Sequence, residues 1–183
     1  STGDPWVRSL LHRRRYATRL VPPPLEATSE LLLEFFVVFS RFEYAMKAAG
    51  WYRRDVARAE PDWNGLITEL ERQEDDITRP LLEAGAYLLA SPPNEQVRAS
   101  DGSIVWSPVR CDVTREPLSC LLKSVKRVRN NLFHGGKFEH LWELSERNRR
   151  LVSDSLRVLE CLLDVPLCAS IRQNYLGYAD EQW

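Results

Sequence analysis

The stretch REPLSCLLKSVKRVRNNLFHGG, residues 115–136, decides how the chain is read. On a wheel of about 100° per residue, Leu118, Leu121, Leu122, Val125, Val128 and Leu132 share one stripe, the signature of a helix with a buried face. Gly135-Gly136 ends it, which predicts a core helix over about 115–134. Arg129 falls in the middle of the stripe. A guanidinium keeps its charge, so facing it into an apolar seam is costly unless a carboxylate, a phosphate or a symmetry mate meets it. His134, five positions on, would lie about 140° away on a continuous helix. The glycine pair lets the chain leave helical geometry there, so that His134 swings toward Arg129, or two subunits bring their copies together.

Upstream, Leu32, Phe35, Phe36, Phe39, Phe42 and Met46 recur at three- and four-residue steps, predicting a core helix over 25–49. A second helical stretch opens at Asp62, an N-cap, and carries Trp63, Leu66, Ile67, Leu70 and Ile77 until Pro80 bends or breaks it; it resumes over 81–89. Between Ser91 and Glu116 the composition turns to Ser, Pro, Asn, Asp and Gly, and Asp101-Gly102 before Ile104-Val105-Trp106 predicts a small hairpin in a long surface insertion. Downstream, Leu141, Leu144, Leu151, Leu159 and Leu162 mark one face of a helix over 140–163. A short helix or packed extension follows over 166–183. The fold class is all-α: an up-and-down bundle of four to five main helices with a loop and hairpin inserted at 91–116.

Composition sets the outer limits. A chain of 183 residues, 44% apolar and 28% charged, fits one soluble globular core. Residues 1–24 form a basic arm, Arg8 through Arg13-Arg14-Arg15 to Arg19, closed by Pro22-Pro23-Pro24; residues 25–183 form the single helical domain. A net charge of −1 argues against a whole-surface grip on nucleic acid, so any RNA contact is local. The four cysteines, Cys111, Cys120, Cys161 and Cys168, have no metal-ligand spacing, and no secretory leader is seen; reduced thiols in a cytoplasmic protein, away from membranes, are expected.

The local patch is on the deciding helix. From Pro117 to Phe138 there are five basic residues, Lys123, Lys126, Arg127, Arg129 and Lys137, and no acidic one. Lys126, Arg127 and Lys137 are candidate RNA contacts. A neutral imidazole at His134 suits removal of a 2′-hydroxyl proton, and an arginine fork suits charge building on a phosphate, so the pair needs neither metal nor cofactor. Asn130 and Asn131 add uncharged donors. On the first helix, Glu43 shares a side with Phe36, Phe39 and Met46. Either it pairs with Arg129 or orients His134, or it is an edge carboxylate reaching Lys47 one turn on. His12 belongs to the arm and His140 to a cap or the surface. Trp51, Trp63, Trp106 and Trp142 read as core or hinge packing rather than base-stacking platforms.

Arg129-Asn130-Asn131-Leu132-Phe133-His134 resembles the Arg-x4-6-His motif of HEPN domains, including the polar residue after the arginine. The run Glu34-Phe35-Phe36 to Phe42-Glu43-Tyr44-Ala45-Met46-Lys47 looks like the first core helix of such proteins. The resemblance spans residues 25–165, with its specificity in the Arg-to-His hexapeptide and the trailing Gly-Gly-Lys. It implies a helical bundle, a homodimer with a composite cleft from two copies of the motif, and RNA cleavage without metal. Arg129 and His134 would be catalytic with Asn130 beside them, and Glu43 and Asn131 would support them. It further implies a toxin held by an antitoxin, of the minimal nucleotidyltransferase type, or an effector of phage defence. The alternative is a non-catalytic HEPN-type module that binds a nucleotide or a partner. The basic arm and the 91–116 insertion have no counterpart in the family pattern.

Overall fold

The structure, a computed structural model, describes residues 27–133 and 145–177. Seven helices and one two-stranded sheet make up its regular structure, an all-α architecture with a β-hairpin set into it. Helix α1 runs Ala27–Ala48, α2 Trp63–Leu70, α3 Asp75–Ala84 and α4 Ala86–Ala90. Strands β1 (Glu95–Arg98) and β2 (Ile104–Ser107) follow, then α5 (Pro117–Phe133), α6 (Glu146–Asp164), a 3-10 turn (Pro166–Cys168) and α7 (Ala169–Gly177). The basic arm lies outside the described residues, as do the His134–Leu144 connection, with Leu141, Trp142 and Leu144, and the last six residues.

Periodicity explains most of these elements. Phe35, Phe39, Phe42 and Met46 bury one face of α1, and Leu121, Leu122, Val125 and Val128 bury one face of α5. Phe36, expected in the core, is instead 46% exposed and leans on Phe133 at the rim, ring centroids 5.0 Å apart. Helix α6 supplies Leu151, Leu159 and Leu162, as the pattern predicts, and it packs on α1, α3, α4, α5 and α7. Its start is set by Ser145, whose hydroxyl accepts the Asn148 N–H at 3.3 Å. Asp62 caps α2 in the same way, accepting from Gly65 N at 2.9 Å. Arg41 ties α1 to α7 by donating to Tyr175 O at 2.9 Å.

Two expectations are corrected. Pro80 does not break the second helical stretch; the break comes earlier, at Glu71–Glu74, and Pro80 sits exposed inside α3. Asp75 and Asp76 favour a fresh N-terminus by opposing the helix dipole. Pro80 forfeits one backbone bond, and both it and Asp76, one turn before it, are exposed, so that solvent can reach the freed carbonyl. Second, Cys111 and Cys120, expected as free thiols, are joined in a disulfide with Cα atoms 5.8 Å apart. The loop entering α5 doubles back over its first turn, bringing together two cysteines whose spacing alone gives no such signal. Cys161 and Cys168 are free. No helix among the described residues is long and apolar enough to cross a membrane.

The inserted hairpin forms where expected. Its register pairs Glu95 with Ser107, Gln96 with Trp106, Val97 with Val105 and Arg98 with Ile104. Gly102, at φ +86°, turns the chain, and Asp101 accepts from Ser103 N at 2.9 Å. The close contact at Gly85 has another origin: a Cβ there would lie 2.2 Å from Leu121 Cδ1 and 2.9 Å from Val158 Cγ2, so the junction of α3 and α4 packs tightly on both α5 and α6.

Candidate functional site

Arg129 occupies the last turns of α5, and its half-buried guanidinium rests between two aromatic rings. It lies 5.7 Å from the Phe39 centroid and 5.6 Å from that of Phe133. Arg129 donates to Asn130 Oδ1 at 3.1 Å, and no carboxylate among the described residues lies within ion-pair distance of it. The apolar seam thus meets its charge with ring faces, which attract a cation without neutralising it. A guanidinium so held keeps donors for an anion.

Glu43 faces inward from α1, half-buried, and its Oε1 accepts the Trp63 indole N–H at 2.9 Å. Trp63 is stacked on Phe39 and Phe42, with centroids 5.8 and 5.5 Å away. Glu43 therefore reaches Arg129 through two rings, by fixing Trp63 against Phe39, and not by an ion pair. Its indole partner also replaces the alternative expected at Lys47.

The basic residues of α5 divide among different tasks. Lys126 is half-buried, and burial pushes its ammonium below the ordinary lysine value with help from Lys123, while Glu43 and Asp62 pull it back up. Arg127 lies 3.7 Å from Glu95 of β1, tying the hairpin to α5; burial lowers its guanidinium pKa and Glu95 offsets this. Lys123, Lys126, Arg127 and Asn130 line a cleft of about 370 Å³ beside β1. A second polar cavity, about 480 Å³, extends from Lys126 past Trp63 to Arg53 and Arg54. Asn131, expected to support the site, donates to Asn94 O at 2.7 Å and so anchors the base of the hairpin. The structure brings Arg129, Asn130, Asn131, Lys126 and Arg127 onto one helix end, with Glu43 behind them. His134 and Lys137 lie outside the described residues.

Next to this helix end, α1 leaves an apolar stripe in the open. Leu33, Phe36 and Val37 are all exposed and, with Phe133 at 38% exposure, form a patch bordering Arg129. Sequence reasoning also missed a cavity on the other flank of α5, formed with the hairpin and with Arg147 and Asn148 at the start of α6. Nothing in the sequence placed the start of α6 against Trp106. Compared with known proteins, the chain matches no family model, no curated protein and no solved structure.

Proposed function

We propose that this chain is an endoribonuclease of the HEPN type that needs no metal, a toxin or phage-defence effector working as a homodimer. The observation that carries the reading is the setting of Arg129: a charged fork on aromatic faces, uncompensated by any described carboxylate, five residues before a histidine. His134 takes the proton of an RNA 2′-hydroxyl, and the 2′-oxygen bonds to phosphorus as the bond to the 5′-oxygen breaks. The products are a 2′,3′-cyclic phosphate and a 5′-hydroxyl, the leaving oxygen being protonated by the imidazolium of the second copy. Arg129 steadies charge on the phosphoryl oxygens, with Asn130 beside it. Lys126 and Arg127 attract the flanking phosphates. The exposed Leu33, Phe36, Val37 and Phe133 patch supports a second copy at this end of the bundle, since an apolar patch is a common mark of an interface. An antitoxin of the minimal nucleotidyltransferase type fits the same reading.

The test is cleavage of labelled RNA in EDTA by purified protein, with His134→Ala and Arg129→Ala beside the wild type. Wild-type cleavage leaving cyclic phosphate ends, lost in both variants without a change in circular dichroism, is the expected result. Undiminished cleavage by His134→Ala refutes the assignment.

A further inference from the structure

Lys126 lines two polar cavities at once: the cleft of about 370 Å³ beside β1 and the cavity of about 480 Å³ that reaches Arg53 and Arg54. The two therefore meet at its side chain. On α5, Lys123, Lys126 and Arg129 stand at three-residue steps, so each cation neighbours the next and Lys126 is the middle one.

The charges lining these cavities are unevenly matched. Every lining carboxylate has a donor: Glu95 lies 3.7 Å from Arg127, Asp55 and Glu60 lie 2.6 and 3.3 Å from Arg53, and Asp62 accepts from Gly65 N at 2.9 Å. Lys123, Lys126 and Arg54 enter no ion pair among the described residues. Glu43 and Asp62 attract Lys126 without coming within ion-pair distance of it, and the lysine is half-buried. Holding a partly desolvated cation without a counter-ion is costly, and an anionic ligand relieves that cost. Neither cavity offers a ring to a base. No aromatic side chain lines the cleft beside β1, and Trp63, in the wall of the other, is 2% exposed with its N–H given to Glu43.

We propose that the two cavities form one track for the sugar–phosphate backbone of a single RNA strand, which passes from Arg129 over Lys126 and gives further phosphates to Lys123 and Arg54. Three unpaired cations spread over two adjoining cavities suit a chain with charges at intervals; a lone phosphate needs donors that converge on one point. A narrow line of charge, on a protein whose net charge is −1, suits one strand rather than the broad phosphate face of a duplex. Asn130, whose Oδ1 accepts from Arg129, keeps its amide N–H groups for a phosphate oxygen where the track meets the catalytic arginine. Because no ring face is on offer, binding along the track ignores base identity. The proposal rests on RNA being the ligand and deepens the nuclease reading by giving the route of the bound strand.

The test is fluorescence anisotropy over a range of salt concentrations, with the full chain and labelled 2′-O-methyl trinucleotides and nonanucleotides, in which the attacking hydroxyl is blocked. The nonanucleotide should bind about tenfold or more tightly than the trinucleotide, and adenine and uracil oligomers of one length should bind alike. The slope of log affinity against log salt should shrink by about 0.7 in Lys123→Ala and by about 0.7 in Arg54→Ala, the share of one phosphate contact on a single strand. Arg79→Ala, which removes an exposed cation of α3 that lines neither cavity, should keep the wild-type slope, with thermal unfolding unchanged in all three variants. An unchanged slope in Lys123→Ala or Arg54→Ala, equal affinity at both lengths, no binding of any oligomer, tighter binding of the matching duplex, or preference for a polyglutamate peptide overturns the proposal. Track-dependent binding by a protein that cuts no RNA leaves the track standing and removes the nuclease reading; cleavage with unchanged slopes does the reverse.

Discussion

Replacing Glu43 by alanine tests whether the floor beneath Arg129 is built as described. The indole N–H of Trp63 is a donor only, on a side chain that is 2% exposed, and its acceptor is Glu43 Oε1 at 2.9 Å. Glu43→Ala leaves that donor unsatisfied in a largely buried setting, which costs about 1–3 kcal/mol. Taking about 2 kcal/mol and the usual slope for a domain of this size, Tm falls by about 4–8 °C. Glu43→Gln keeps a carbonyl acceptor at the same reach and loses only the charge, so it should stay within about 0.5–1 kcal/mol of wild type. Urea unfolding of the wild type, both Glu43 variants, Trp63→Phe and the double variant Glu43→Ala/Trp63→Phe measures the pair directly. The double variant should cost clearly less than the two single losses combined, because each removes the same bond. Strict additivity, or equal damage from alanine and glutamine, would refute the reasoning and return Glu43 to a purely electrostatic role toward Lys126.

Further outcomes follow from other contacts. Gly85→Ala should lower stability by about 1–3 kcal/mol in urea unfolding, since the added methyl forces Leu121 and Val158 aside. Asp154, 3% exposed, accepts from Tyr87 N at 3.0 Å and from Arg157; Asp154→Ala should cost about 2–3 kcal/mol and Asp154→Asn less, read by thermal unfolding. Cys168 is fully buried and its thiol is pushed up to about 12, so at pH 8 about one thiol in ten thousand is ionised and it should react with a disulfide reagent only after denaturation. Counting thiols before and after denaturant, without reductant, should show Cys111 and Cys120 protected throughout by their mutual bond.

Helical periodicity carried most of the architecture into the sequence. The α1 and α5 stripes, the Asp62 cap and the Asp101-Gly102 turn each depend on neighbours within a few residues, so a linear reading reaches them. Phe36 shows the limit: it shares the apolar periodicity, yet its burial depends on what stands opposite, and it meets Phe133 at the rim while staying 46% exposed. Pro80 shows another, because a proline's effect depends on where its helix begins, and α3 begins at Asp75. In the site, Arg129 was conspicuous as a charge in a stripe, and its aromatic setting answers that oddity. The Glu43–Trp63 bond, the disulfide and the Trp106 cavity join separate segments, and no local pattern encodes such meetings.

The bond from Arg41 to Tyr175 spans 134 residues, and α1 packs chiefly on α6 and α7, the last helices among the described residues. At roughly 5–20 residues per second, a ribosome delivers the far end of that contact about 7–27 s after the near end. Through that interval α1 holds Phe35, Phe39, Phe42 and Met46 without the helices that will cover them. Apolar surface left uncovered in this way is aggregation-prone, and the docking of α1 waits on α6 and α7. A stop codon ahead of α7 would also strip α1 of one of the two helices it packs on most.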